Sequence, residues 1–172
     1  MDQGSAGALQ LKWELSGHGW ANCHLSDDSQ TASVIASYCT DALADLVAGA
    51  GELYGQQRSA RFFFDAEPQE LRWVLRPTDD AVNVTIHQFP DVSVSPDLPD
   101  SYGTVMWQAT YPRSAFAHAV LEAAHTVLKE HGEAGYLAKW AMHPYPVALV
   151  QDLRRLHIRD DACDLPHDLS CP

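Results

Sequence analysis

Basic and polar side chains recur at alternate positions in the middle of the chain, in a pattern that could bind an anion. The stretches 71–76 and 82–88 alternate apolar and polar residues as two paired strands do, so their polar residues share one face. Together with a neighbouring strand, that face carries Arg61, Arg72, Arg76, Thr85 and His87. Arginine binds carboxylates and phosphates through paired hydrogen bonds, and histidine titrates near neutral pH. The alternative, which the sequence favours, is a solvated sheet face with salt links to Glu67 and Glu70.

Three residues near the C-terminus are spaced four apart and could ligate zinc. Cys163, His167 and Cys171 would lie on one side of a helix, and thiolate with imidazole is a ligand set that zinc prefers. Structural zinc needs four ligands, however, and Pro166 interrupts a helix through this segment. The sequence therefore favours a solvated tail, and we expect no cofactor and no resident metal.

Other reactive residues are explained by packing. Cys23 and His24 are adjacent in a predicted strand, where consecutive side chains point to opposite faces, so they cannot form a pair of nucleophile and base. His118 and His125 lie two turns apart on a predicted helix, and packing at its flank accounts for both. The chain lacks the motifs GxxxxGKS/T, GxGxxG, GxSxG and HExxH. These observations favour a binding protein over an enzyme without excluding the enzyme.

The elements that must position these residues follow from changes in hydrophobic period. Alternation and turn residues predict three short strands between residues 9 and 38. Spacing by three and four residues from Thr40, the predicted N-cap, to Gly55 predicts a helix of about four turns. Further strands are predicted at 60–65, 71–76 and 82–88.

An exposed loop separates these strands from the rest of the chain. Residues 90–100 hold three prolines and three aspartates, a composition that cannot pair inside a sheet. The following strand is predicted to place on one side Val105, Trp107, Ala109 and Tyr111. A second helix begins at Arg113 and ends near Gly132, a short helical stretch follows, and a third amphipathic helix begins near Val147.

We therefore predict an α+β fold built as a two-layer sandwich. A mainly antiparallel sheet of about six to seven strands carries two long helices and a shorter C-terminal helix on one face. Residues 1–158 are expected to form a single domain. Residues 159–172 are expected to form an acidic, mobile C-terminal tail.

Charge and composition restrict the classes of partner. The 172 residues include 11 Lys and Arg against 23 Asp and Glu, a formal net charge of -12. This charge repels nucleic acids and acidic membrane surfaces, so we expect neither as a partner. No apolar run approaches the roughly 20 residues of a membrane span, and the N-terminus lacks the regions of a signal peptide. We expect a cytoplasmic protein whose four cysteines are free thiols.

Tryptophan-containing strands support a comparison with a known group of proteins. The segments 71–75 and 104–107, with Trp73 and Trp107, belong to a pattern of strands and helices in a small acidic domain. This pattern, over roughly residues 9 to 140, resembles small actinobacterial proteins, some of them grouped with WapI-like immunity proteins of polymorphic toxin systems. The resemblance implies inhibition of a toxin by tight binding, and it assigns no binding residue.

Three hypotheses about function follow. The first is a non-enzymatic, immunity-type binding protein that docks a basic protein partner, with an exposed contact formed by Asp91, Asp97 and Asp100. The alternative is a small-molecule-binding accessory protein or enzyme of specialised metabolism, which would use the face of Arg72, Arg76 and His87 or a cavity between sheet and helices. The third is a structural subunit that forms a homodimer through a strand edge.

Overall fold

A computed structural model describes residues 8–56 and 59–163. The first sheet is formed by β1 (Gln10–Gly17), β2 (Trp20–Ser26) and β3 (Thr31–Ser37), and helix α1 (Ala42–Glu52) follows. The second sheet is formed by β4 (Ala60–Ala66), β5 (Gln69–Thr78), β6 (Ala81–Phe89) and β7 (Thr104–Pro112). The chain then forms helices α2 (Arg113–Trp140) and α3 (Val147–Asp161).

The α+β class is confirmed, but the prediction of a single sheet of six to seven strands is wrong. The strands form two antiparallel sheets, one of three strands in the order β1-β2-β3 and one of four in the order β4-β5-β6-β7. Strands β3 and β4 lie close together, but they belong to different sheets and form no ladder with each other. Alternation specifies which face of a strand is buried, whereas it does not specify which strand edges pair.

One core joins both sheets and the helices. Trp13 of β1 is buried, and its ring lies 5.7 Å from that of Phe64 in β4 and 6.4 Å from that of Trp140 in α2. A second link runs from Tyr111 of β7, whose hydroxyl donates a 2.5 Å hydrogen bond to Asp27 in the turn after β2. Burial by itself would raise the pKa of Asp27, but hydrogen bonds from Tyr111 and Ser29 outweigh it and lower that pKa to about 2.

The register of the second sheet sets which residues face away from the core. Trp73 lies opposite Ile86 and Leu75 opposite Val84, as the alternation predicts, so Arg72 lies opposite His87 on the other face. A bulge between Ile86 and His87 shifts the pairing with β7. Val105 therefore lies opposite His87 and is 49% exposed, so the prediction that it shares a side with Trp107 is wrong.

The helices differ in length from the prediction. Helix α1 has only 11 residues and begins after Asp41 instead of Thr40, so α3, with 15 residues, is the longer of the two. Helix α2 spans 28 residues, with a break at Gly132, where φ is 66° and ψ is 171°. This break lies where the sequence predicts the second helix to end. No helix within residues 8–56 and 59–163 is long and apolar enough to span a membrane.

Candidate functional site

The polar face of the β4–β7 sheet is covered at one end by the segment between β6 and β7. This segment, residues 90–103, is called the 90–103 loop here, and it contains two short 3-10 turns, Ser95–Asp97 and Asp100–Tyr102. Beneath the loop, Arg72 is only 5% exposed, and its guanidinium carbon lies 4.2 Å from the centre of the Phe89 ring. The loop and the sheet therefore meet at a buried cation.

The hydrogen bonds of Arg72 hold the loop on the sheet. Nη1 donates to the Leu98 carbonyl at 2.8 Å and to the Asp100 carboxylate at 3.0 Å. Nη2 donates to the Ser95 carbonyl at 2.8 Å and lies 2.8 Å from a carboxylate oxygen of Glu70. We call these contacts the Arg72 clamp. The clamp uses the arginine for internal contacts instead of leaving it solvated.

Asp100 is the internal anion that neutralises this face. Its carboxylate accepts hydrogen bonds from Arg72, from Arg76 at 3.4 Å and from Arg61. The Asp100 side chain is 17% exposed, whereas those of Arg61 and Arg76 are about half exposed. Of the two salt links that the sequence favours, the link to Glu70 is present and is made by Arg72. Glu67 instead accepts a hydrogen bond from the Cys39 thiol at 3.0 Å. The polar face is an ion-pair network closed by the loop.

The two carboxylates of the clamp have pKa values that move in opposite directions. Burial raises the pKa of Glu70 despite the attraction of Arg72. Burial also opposes ionisation of Asp100, but hydrogen bonds and charge from Arg61 and Arg72 outweigh it and lower the pKa of Asp100. Asp100 therefore stays ionised to a lower pH than Glu70 does.

His87 and Thr85 lie in the floor of this face. His87 is 8% exposed, and burial lowers its pKa because it disfavours the charged imidazolium. Gly103 of the loop approaches so closely that a Cβ atom there would lie 3.0 Å from the His87 Cβ. Thr85 is also buried and donates a 2.9 Å hydrogen bond to the Asn83 side chain. Thr85 is thus hydrogen-bonded, whereas neither ring nitrogen of His87 has a hydrogen-bond partner among the described residues.

A cavity of about 500 Å³ lies beside the clamp. Its walls are Arg61, Phe62 and Phe63 of β4, Glu70 and Arg72 of β5, and loop residues 96–99. The volume falls within the range of small-molecule sites, about 300–1,000 Å³. The lining combines the Arg61 guanidinium and the Phe63 ring with the carboxylates of Glu70 and Asp97, while the Phe62 ring stacks on Trp73 in the core. An anion with an apolar group would therefore have to bind through Arg61, because Arg72 is already held by the clamp.

The outer side of the loop presents acidic and apolar side chains to solvent. Asp91 and Asp97 are exposed, as are Val94 at 61% and Tyr102 at 71%. The Asp91 carboxylate accepts hydrogen bonds from the Ser93 backbone and hydroxyl, which lower the pKa of Asp91. Of the three aspartates expected to contact a partner, Asp91 and Asp97 are exposed, with Asp97 also lining the cavity, and Asp100 points inward.

The thiols near the N-terminus are poor nucleophiles. Burial raises the pKa of Cys23 to about 12. The hydrogen bond to Glu67 raises the pKa of Cys39. Cys23 faces the core while His24 contacts Ser33 at 2.8 Å on the opposite face, so the expectation that they do not pair is confirmed. Both thiols are protonated at neutral pH.

The zinc pattern of the sequence falls only in part on the described residues. Cys163 lies within reach of two histidines, His118 and His157, with one ligand atom of each residue within 4.8 Å of the others. His167 and Cys171 lie outside the described residues. The sequence predicts that His118 packs at a helix flank, and it predicts no role for His157. No spacing rule joins residues 45 positions apart in sequence such as His118 and Cys163.

The roles of loop residues were also missed by sequence reasoning. Two of the four residues that accept hydrogen bonds from Arg72, Ser95 and Leu98, do so with backbone carbonyls, which every residue carries and which therefore leave no trace in a sequence. Comparison of the chain with protein-family models, curated proteins and solved structures finds no match.

The clamp predicts a large effect of Arg72→Leu. Removing the guanidinium leaves Glu70 buried without its cation, so we expect the free energy of unfolding to fall by about 3–5 kcal/mol. Relative to the wild-type protein, the variant should show a larger increase in hydrogen exchange at the amides of the 90–103 loop than at those of β1. The checks are urea unfolding and hydrogen exchange. Arg155→Ala, which removes an exposed pair with Asp152, should change the stability by less than about 1 kcal/mol. Equal losses in the two variants would contradict the clamp.

The lowered pKa of Asp100 predicts how Asp100→Asn depends on pH. The folded-state pKa lies below the ordinary value of 3.8, so the carboxylate stabilises the fold above that pH and loses this effect as pH falls through the folded-state pKa. We expect a loss of about 1.5–3 kcal/mol at pH 7 that shrinks below pH 3.8. Urea midpoints at pH 7, 5 and 3 test it, with the exposed Asp97→Asn as the control. A loss independent of pH would argue against ion pairing.

Proposed function

We propose that the protein is a non-enzymatic binding protein that docks a basic protein partner on the 90–103 loop. The observation that carries this proposal is the Arg72 clamp, because it holds an exposed, proline-containing loop in one shape. A loop ordered before the encounter loses less conformational entropy when a partner binds. The loop is held at a second point as well, in the turn between β4 and β5, since the Val92 amide donates to the Pro68 carbonyl at 2.7 Å.

The chemistry of the outer loop fits a cationic partner. Asp91 and Asp97 flank the exposed Val94 in sequence, and the exposed Tyr102 follows in the same loop. Tyrosine surrounded by polar groups is typical of the residues that contribute most to binding energy. The net charge of -12 would raise the association rate with a basic surface.

The cost of the clamp supports a role beyond stability. Burying Arg72 and Glu70 removes two charges from water, and apolar residues of similar volume often stabilise a fold as well or better. The cost of this buried ion pair would be offset if a partner binds the shape in which the ion pair holds the exposed loop. Inhibition of a toxin, as the resemblance to WapI-like immunity proteins implies, is the form of docking that we propose.

A second candidate function, small-molecule binding, is favoured by the cavity next to the clamp. Arg61 and the Phe63 ring could hold an aromatic carboxylate or phosphate there. In this case the loop would be the wall of a ligand site, and His87 would contribute only through packing.

Affinity capture with matched variants tests the docking surface. The protein is immobilised and exposed to lysate of its source organism at low and at physiological salt. We expect a basic protein to be enriched on the wild-type protein and on an Asp79→Lys/Asp152→Lys control. It should be lost, about tenfold or more, on Asp91→Lys/Asp97→Lys and on Tyr102→Ala. Quantitative mass spectrometry measures the enrichment.

The control carries the same change of charge at exposed positions outside the loop. Equal loss on the control and on the loop variant would mean that only the overall charge matters, which contradicts a specific surface. Asp100 is left intact because its replacement would disturb the clamp itself.

Ligand-induced stabilisation tests the cavity. Benzoate and phenyl phosphate serve as probes, and we expect either to raise the melting temperature of the wild-type protein if the cavity binds aromatic anions. Arg61→Ala should abolish this rise, whereas Arg155→Ala on α3 should keep it. A flat response of the wild-type protein to both probes would reject this candidate and leave docking.

A further inference from the structure

Two histidines and one cysteine meet where the end of α3 packs on α2, away from the loop. One ligand atom each of His118 in α2, His157 in α3 and Cys163 after α3 lie within 4.8 Å of one another. His118 Nδ1 is 3.9 Å from the Cys163 sulfur, and the two imidazole rings are 5.8 Å apart. Zinc bonds of about 2.0–2.3 Å place ligand atoms about 3.5 Å apart, so small side-chain rotations would complete such a geometry.

Carboxylates orient both imidazole rings. His118 Nε2 lies 3.3 Å from Glu122, and His157 Nδ1 lies 2.8 Å from Asp161. Histidines that ligate metals commonly donate their second N–H to a carboxylate, which fixes the tautomer and makes the coordinating nitrogen more basic. In this arrangement His118 would coordinate through Nδ1, which faces Cys163, and His157 through Nε2.

The carboxylate behind His157 is itself held rigidly. Asp161 is 4% exposed and accepts hydrogen bonds from Arg113 Nε at 3.0 Å and Nη2 at 2.7 Å. It also accepts a hydrogen bond from the Tyr54 hydroxyl, and Arg113 stacks 4.3 Å from the centre of the Tyr54 ring. Residues from α2, from α3 and from the turn after α1 thus position one histidine, which is fully buried.

We propose that His118, His157 and Cys163 bind one zinc ion, with water in the fourth position. Two imidazoles and one thiolate form a nitrogen and sulfur set that suits zinc. Binding replaces the thiol proton of Cys163, which passes to solvent, so affinity falls as the pH is lowered. Three protein ligands with water in the fourth position form an open zinc site and not a closed structural one. The sequence favours a tail in which Cys163, His167 and Cys171 bind no zinc. The site proposed here uses a different set of ligands and shares only Cys163 with that pattern.

Cobalt substitution of the full chain tests the site. The protein is stripped with a chelator and titrated with Co²⁺, which we expect to bind at one equivalent, with the visible bands of tetrahedral cobalt and a sulfur-to-cobalt charge-transfer band. One equivalent of Zn²⁺ should remove these bands. Cys163→Ser should abolish the charge-transfer band, and His118→Ala should weaken affinity by more than about 100-fold. Glu122→Gln should weaken it by about tenfold.

Matched variants separate this site from other thiols and histidines. Cys39→Ser and His24→Ala remove a thiol and an imidazole elsewhere and should bind cobalt as the wild-type protein does. Because His157 is buried, the test uses His118 and Cys163, which are partly exposed, and circular dichroism verifies that each variant is folded. A charge-transfer band that persists in Cys163→Ser, or a wild-type protein that takes up no stoichiometric cobalt, overturns the assignment.

Discussion

A buried guanidinium must keep its charge and have its donors satisfied, and this constraint on Arg72 organises the polar side of the molecule. β5 supplies the arginine and Glu70, but the remaining acceptors come from the loop, through the Ser95 and Leu98 carbonyls and the Asp100 carboxylate. The loop therefore has to lie on the sheet. Its position forms one wall of the cavity, brings Gly103 against His87 and leaves the outer side of the loop facing solvent.

The same physical solution occurs at the other end of the fold. Asp161 near the end of α3 is paired with Arg113 at the start of α2, and this pair positions the His157 ring. In both places an ion pair with little exposure fixes a segment that has few apolar residues to hold it. Such pairs add little net stability, since desolvation offsets their attraction, but they select one arrangement of the segment over others. The proposed docking surface and the proposed zinc site each depend on one of them.

Much of the local structure could be predicted from the sequence. The alternation in β5 and β6 correctly separates Trp73 and Ile86 from Arg72 and His87, and Gly132 correctly marks a break in the helices. The candidate site was predicted only as a set of residues on one face. Their role was not, because a pattern of period two shows that Arg72 leaves the core but not that a loop 20 residues later buries it again.

The sequence by itself determined the α+β class, the strands that alternate and the acidity of the chain, because these depend on composition and on neighbours close along the chain. Tertiary structure decided the division into two sheets, the bulge that turns Val105 outward, the inward direction of Asp100 and the meeting of His118 with Cys163. Each of these is a contact between segments far apart in sequence. Its free energy depends on burial and on partners that no local pattern records.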